Sequence, residues 1–358
     1  MKIAFVIRQL GSTGGVERRL EQLYSSNLNK EFEIVTFSFF GILETYHKES
    51  RWLAPFKFLY RLVKLILFLT KEKPDIIHAF DLESLLYSSI AKKLLLKNKL
   101  TLIGSYGAEK VHDIMTQKLL SYAFFYPSIF VCNSKNGKNS LLNITKNKVP
   151  VKVIFNGFTP TDINIPSNKP SWYDDNKKYV GVISKFDDYK KAMRVFDIVD
   201  AMPEEENISF VIAGTGRDYQ LAQLRFNGNE RYKNRIILLG VVQDAWKLIP
   251  WFDMGLLVSD SEGFPTVLIE FLSLKKTILS TKCGESPFIL NSGKAGLLEP
   301  EFNAQVFAKH IQIECVKGKL NISGYNWYKN NFSFEIMLDK YKALYNSNYH
   351  VRHRRHIQ

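Results

Sequence analysis

Cysteine, nucleotide-fold glycine fingerprints and long apolar runs are all scarce in this chain. Its three cysteines, Cys132, Cys283 and Cys315, are odd in number and far apart, with no Cys-x-x-Cys and no zinc spacing. That pattern excludes a disulfide framework or a zinc ribbon and fits reduced thiols in a cytosolic protein. No Gly-x-Gly-x-x-Gly and no P-loop motif occurs, which argues against a nicotinamide or flavin fold and against a Walker-type nucleotidase. The most apolar region, Leu53–Leu69, is interrupted by Lys57, Arg61 and Lys64, so it is not a membrane-spanning helix. The opening Met1-Lys2-Ile3-Ala4-Phe5-Val6-Ile7 is too short for a signal-peptide core, is followed at once by Arg8, and reads as a strand.

What remains is an ordinary globular composition, 46% hydrophobic and 23% charged, over 358 residues, enough for two domains. The net charge is +14 and uneven: residues 1–163 hold 23 Lys and Arg against 13 Asp and Glu. A basic first half suits an anionic partner such as nucleic acid, anionic lipid or a phosphorylated substrate.

The pattern along the chain alternates strand and helix. In the first half, strands are expected at Lys2–Ile7, Glu33–Phe37, Asp75–Ala79, Leu100–Ser105, Ile129–Asn133 and Val151–Ile154. Helices are expected at Val16–Leu28, Trp52–Thr70, Leu82–Leu96, Thr116–Phe125 and Ser134–Ile144. Asn156–Asp175, with Pro160, Pro166 and Pro170 among polar residues, reads as an interdomain linker. The second half repeats the plan, with strands at Tyr179–Ser184, Ile208–Ala213, Ile236–Leu239, Met254–Val258 and Thr277–Ser280. Between them lie helices at Ala192–Met202, Tyr219–Phe226 and Ala245–Ile249, and further helices close the chain. Such alternation predicts an α/β protein of two Rossmann-like, doubly wound parallel sheets. The expected domains are residues 1–163, residues 164–330, and a C-terminal helix in 331–358 that crosses back to the first domain and ends in a basic tail.

Ser261-Glu262-Gly263-Phe264-Pro265-Thr266-Val267-Leu268-Ile269-Glu270 is the most informative segment. Pro265 suits the first position of a helix, and the free amides of residues 263 to 267 would then form an anion site at its N-terminus. Glu262 beside that site and Glu270, just over a turn into the helix, could grip two parts of one polyhydroxylated ligand. The plainer reading makes Glu262 a cap and Glu270 a solvated residue. The apolar run Val267, Leu268, Ile269, Phe271, Leu272 and Leu274 counts against it, because a charge in a mostly buried helix needs a partner.

Other candidates are weaker. Gly14-Gly15-Val16-Glu17-Arg18 lies between a strand and a helix, where the backbone could approach a ligand closely. Lys185 and Lys190 follow the first strand of the second half and could clamp a diphosphate; solvated loop lysines are the alternative. Gly214-Thr215-Gly216-Arg217 is either a nucleotide-lining loop or a tight turn. His78 ends a strand, where a structural role is the commoner one, and His112 lies in an expected loop. Lys57, Arg61 and Lys64 within Trp52–Thr70 make a basic amphipathic helix, suited to an anionic membrane surface or to ordinary packing with extended lysines. The stretch His350–His356 is basic and reads as a solvated, disordered tail.

Together these motifs resemble retaining glycosyltransferases of the GT-B fold, in particular glycosyltransferase family 4 (glycosyl transferases group 1). The resemblance runs over nearly the whole chain. It rests on the Gly14-Gly15 loop, on Asp75-Ile76-Ile77-His78-Ala79, on Val131-Cys132-Asn133-Ser134 with Val153-Ile154-Phe155-Asn156-Gly157, on the Glu-x7-Glu of Glu262 and Glu270, and on Thr277-Ile278-Leu279-Ser280-Thr281. It implies two Rossmann-like domains facing a central cleft, a nucleotide-sugar donor (a UDP-sugar foremost) and a saccharide or lipid-linked acceptor. It further implies hexosyl transfer with retention, work in bacterial surface polysaccharide or lipopolysaccharide synthesis, and a cytoplasmic place, peripheral on the inner membrane face. No metal or other cofactor is implied, and no Asp-x-Asp stands in a comparable site.

By the same resemblance Glu262 would contact donor sugar hydroxyls, and Gly263, Phe264, Thr266 and Val267 would offer amides beside Pro265. Glu270 would hold the ribose, and Lys185 and Lys190 the diphosphate. Gly14, Gly15, Gly214 and Gly216 would line the donor site, and Arg18, His78 and His112 the acceptor side. Lys185 stands where the family places an arginine, losing a bidentate phosphate contact. Ser105-Tyr106-Gly107 stands where the family often has Thr-His-Gly, so either Tyr106 substitutes as a hydrogen-bond donor or His112 reaches in. These two departures favour one alternative, a degenerate GT-B protein that binds saccharide without transfer; a nucleotide-sugar epimerase on the same scaffold is a second alternative. The cleft motifs give a nucleic-acid binder no support.

Overall fold

The computed structural model describes residues 1–9, 20, 22–24, 26, 28–40, 54–95, 100–106, 123–160, 169–204 and 207–354. It divides into two units, one of residues Met1–Phe155 with Met337–Gln358, the other of Asn156–Ile336.

In the first unit the strands are β1 (Lys2–Gln9), β2 (Glu33–Phe40), β3 (Ile76–Ala79), β4 (Thr101–Tyr106), β5 (Ile129–Cys132) and β6 (Val151–Val153). They form one sheet in the order β2-β1-β3-β4-β5-β6, parallel at every pair. Parallel sheets are covered on both faces, so their strands are apolar without alternation. The Ile-Ile-His-Ala of β3 is buried throughout. The helix Leu82–Leu94 starts where Asp81 accepts a hydrogen bond from the Ser84 amide at 2.8 Å. Lys135–Ile144 starts in the same way on Ser134. The strand order reverses between β1 and β3, and Gly14-Gly15 follow β1 but lie outside the described residues.

In the second unit the strands are β7 (Lys178–Ile183), β8 (Ile208–Ala213), β9 (Ile236–Gly240), β10 (Met254–Leu257), β11 (Thr277–Thr281) and β12 (Leu297–Glu299). Their order is β12-β11-β10-β7-β8-β9, again all parallel. This is the doubly wound dinucleotide-fold order, with its reversal between β7 and β10; ligands of such sheets bind outside the strand C-termini at that reversal. The segments that follow β7 and β10 carry Lys185, Lys190 and Glu262.

Several expectations are corrected. β12 was not anticipated, because three residues on a sheet edge leave too short a pattern to read. The short helix expected at Ala245–Ile249 is present, as a 3-10 helix over Ala245–Trp251 with Pro250 in its last turn. The stretch read as a linker is partly built into the second unit. The Phe158 amide donates to the Phe332 carbonyl at 3.0 Å, and Trp172 and Tyr173 pack on Tyr179, Phe252 and Trp251. Aromatic burial outweighs the polar, proline-rich composition there. Near the other end the backbone is helical through Phe334–Arg354, so most of the basic stretch expected to be disordered is helix. The helices expected at Val16–Leu28 and Thr116–Phe125 fall largely outside the described residues.

Candidate functional site

In the second unit the loops after β7 and β8 lie on one another. The Ser184 amide donates to the Ala213 carbonyl at 3.1 Å, and the Phe186 amide to the Thr215 carbonyl at 3.2 Å. Gly214 permits this approach. It sits at φ +150°, and a Cβ there would stand 1.9 Å from the Ser184 carbonyl oxygen. At Gly216 a Cβ would meet the Phe186 carbonyl at 2.6 Å. The geometry therefore gives both glycines a backbone-packing role in seating the loop that carries Lys185.

The loops after β7 and β10 are tied across the reversal of the sheet. Arg194 donates to the Val258 carbonyl at 2.8 Å and pairs with Asp260 at 2.5 Å, while the Asp260 amide donates to the Tyr189 carbonyl at 2.8 Å. Within this frame Lys190 forms an ion pair with Glu262 Oε2, and Ser259 Oγ donates to Oε1 at 2.9 Å. Ser259 is itself held by Thr281, whose hydroxyl donates to the Ser259 carbonyl at 2.5 Å. The Glu262 side chain is 8% exposed and that of Lys190 24%, so the pair is largely withdrawn from water yet reachable from the lysine side.

Glu262 leads directly into the helix Thr266–Ser273. Pro265 is not its first residue but its N-cap, at φ −72° and ψ 94°, one position earlier than the sequence suggested. With no side-chain cap bond, the first amides of the helix stay available to a ligand. Gly263 has nothing within 4 Å of where a side chain would be. Phe264 is buried, with its ring 5.9 Å from that of Phe332, which in turn packs against Phe288 and Trp327. It anchors the turn through its side chain. Val267 and Pro265 are buried and Thr266 half-buried. Glu270 is only 5% exposed inside a helix whose neighbours are apolar, which rules out a solvated residue.

Lys185 is exposed and forms no ion pair among the described residues, unlike Lys190. Gly284 was not singled out by sequence. At φ +51°, it brings its backbone against that of Glu262, where a Cβ would lie 2.2 Å from the carbonyl oxygen. The next amide, of Glu285, donates to the Gly263 carbonyl at 3.2 Å. Ser259, Arg194 and Asp260 were likewise missed, since nothing in their local sequence marks them.

The first unit holds the other candidates. Tyr106 ends β4, half-buried, with its ring 6.0 Å from that of Phe124. His78 is wholly buried in β3, its Nδ1 2.8 Å from the Tyr345 hydroxyl and its Nε2 2.9 Å from that of Ser105. It therefore belongs to the interior and does not face an acceptor as expected; both ring nitrogens are already engaged within the core. Gly14, Gly15, Arg18 and His112 lie outside the described residues. No group of three or more His, Cys, Asp or Glu side chains suited to a metal ion occurs among the described residues.

Burial pushes the Cys283 thiol up to about 11, with the nearby Glu262 carboxylate acting in the same direction. Its thiolate is thus negligible until the pH climbs towards that value. At pH 8 the folded protein is expected to leave Cys283 unmodified by iodoacetamide, and unfolding in guanidinium to expose it. Peptide mapping by mass spectrometry reads both states.

Residues 177–313 match the family described as Glycosyl transferases group 1. The chain is 23% identical to lipopolysaccharide 1,6-galactosyltransferase of Salmonella typhimurium, covering 98% of this chain and 97% of that protein. Against the Escherichia coli enzyme of the same name it is 24% identical, over 86% and 85%. Among solved structures, Anabaena HepE in complex with UDP superposes with a TM-score of 0.74 at 18% identity, covering 97% of this chain and 100% of that one. The matched segment spans the second sheet from β7 to the helix Ala304–Lys317, including the Lys190–Glu262 pair and the helix it introduces. Residues 177–313 of the second unit thus resemble a glycosyl transferases group 1 domain, and the two parallel sheets have the fold of the GT-B glycosyltransferases.

Proposed function

We propose that this chain is a retaining glycosyltransferase that moves a hexosyl group from a UDP-sugar to a saccharide acceptor during lipopolysaccharide or related surface polysaccharide synthesis. The observation that carries the reading is the Lys190–Glu262–Ser259 arrangement immediately before the uncapped N-terminus of Thr266–Ser273. The helix end and Lys190 supply positive charge for a diphosphate, with exposed Lys185 as a second cation. Glu262, fixed by two partners, accepts hydrogen bonds from sugar hydroxyls. Glu270 lies about one turn into the helix and takes the ribose. This supply of positive charge lets the diphosphate leave without a divalent ion.

In the proposed step the acceptor oxygen bonds to the anomeric carbon on the face from which the diphosphate departs. The bond to the diphosphate oxygen breaks, and that oxygen receives the acceptor's proton. Configuration is retained without a protein nucleophile. Support for the donor and the pathway comes from the lipopolysaccharide galactosyltransferases that resemble the whole chain, and from the UDP and UDP-glucose held by HepE.

A thermal-shift panel of UDP-, GDP- and ADP-sugars tests the donor. A ligand at a hundred times its Kd adds about 2.7 kcal/mol of stability. UDP-sugars are expected to raise the midpoint by several degrees and the other bases to leave it in place. A shift with GDP- or ADP-sugars alone would overturn the choice of base, and no shift with any would overturn the donor site.

A further inference from the structure

The helix Ala54–Glu72 buries Leu62, Leu65 and Leu69 against the first sheet, as any covering helix would. Its opposite side is unusual. Phe56 is 74% exposed, Tyr60 59%, Val63 45% and Leu67 64%, at positions i, i+4, i+7 and i+11, with Leu59 58% exposed alongside. At about 100° per residue these side chains form one continuous outward stripe about three turns long. A packed surface helix turns polar residues outward; this one is apolar on both faces. Lys57, Lys64 and Lys71 recur every seven residues and run along one margin of the stripe. Lys64 and Lys71 are exposed, and the Lys64 ammonium lies 4.5 Å from the centre of the Tyr60 ring, its stem laid over the apolar strip. The only acidic residue of the helix, Glu72, is at its end and bonds to Lys2 at 3.1 Å.

We infer that this face docks on an anionic phospholipid surface. Apolar side chains would enter the acyl boundary while the lysine row meets the phosphates, a division of labour typical of helices lying in a membrane interface. Charge complementarity selects lipid over a protein groove, since the margin is cationic and the residues 1–163 around it carry 23 basic against 13 acidic residues. No helix among the described residues is long and apolar enough to cross a membrane, so the contact is with the surface. The inference concerns the first unit and does not depend on the donor assignment.

Flotation of the purified full-length chain with vesicles provides the test. Binding is expected to phosphatidylcholine vesicles containing about one third phosphatidylglycerol and to be lost with pure phosphatidylcholine. Phe56→Ser with Leu67→Ser, and separately Lys64→Glu with Lys71→Glu, are each expected to lower the partition coefficient at least about tenfold. Val316→Ser with Leu320→Ser, an equally exposed apolar pair in the second unit, is expected to leave it unchanged. Circular dichroism melts verify that each variant is folded. The inference is overturned if the wild type does not float, if the control pair weakens binding as much as the stripe variants, or if the stripe instead drives self-association in vesicle-free solution.

Discussion

Glu262→Ala is expected to cut turnover about a hundredfold or more, the scale of losing one charge-positioned hydrogen-bonding group at a reacting centre. Lys190→Ala should do comparable damage for a different reason. Without the lysine, the Glu262 carboxylate, 8% exposed, keeps only the Ser259 hydroxyl as a partner among the contacts described above. An under-satisfied buried charge costs about 1–3 kcal/mol or more, so Lys190→Ala should also lower the thermal midpoint. Because Lys190 is itself a quarter exposed, solvent offsets part of that cost, and the effect belongs at the lower end. Glu262→Gln separates the contributions. It keeps the side-chain shape and an oxygen for Ser259 while losing the charge that pairs with Lys190. Steady-state kinetics with the donor picked out by the ligand panel, alongside melts of each variant, read the outcome. Turnover near wild type in Glu262→Ala would end the assignment of that carboxylate.

The second large effect falls on a residue with no side chain to offer a ligand. Gly284→Ala is expected to lower transfer by about a hundredfold and to destabilise the second unit by about 1–3 kcal/mol. A positive φ costs a side-chain-bearing residue about 1–2 kcal/mol. The greater part of the harm is steric: the new Cβ would sit 2.2 Å from the Glu262 carbonyl oxygen and 2.8 Å from that of Gly263. Backbone cannot swing aside as a flexible side chain can. Relief must come from moving the Glu262–Gly263 peptide, and with it the carboxylate and the amides beyond, and shifts of about 1 Å in such groups cost orders of magnitude in rate. If Gly284→Ala raised KM for the donor with kcat unchanged, the displaced groups would serve binding alone.

Much of this was legible because burial leaves a direct trace in composition. The Ile-Ser-Phe-Val-Ile-Ala of β8 is almost wholly apolar because both faces of the strand are covered, and its bounds were readable to the residue. Glu270 stood out because a carboxylate among Val267, Leu268, Ile269, Phe271 and Leu272 conflicts with the helix around it. Proximity leaves no such trace. Lys190 and Glu262 are 72 residues apart, and the Thr281 hydroxyl reaches back 22 residues to Ser259; the crossover at β7 and β10 brings these groups together. The surroundings of His78 were hidden for the same reason: its partner Tyr345 lies 267 residues further on. Gly284 stood in a short Cys-Gly-Glu stretch indistinguishable from any turn, because the backbone it must accommodate belongs to another loop.

That long-range partnership has a consequence for how the molecule is made. The first unit is discontinuous: its sheet is complete by Val153, but the helix residues from Met337 onward, including the wholly buried Tyr341 and Tyr345, belong to it. During synthesis the six-stranded sheet therefore emerges with the surface around Phe5, Phe32 and His78 still uncovered, and it waits in that state while nearly two hundred residues are added. The second unit is one uninterrupted stretch and can close as soon as it has left the ribosome. The part translated first is finished last, and an N-terminal fragment expressed alone would present an aromatic seat with nothing to fill it.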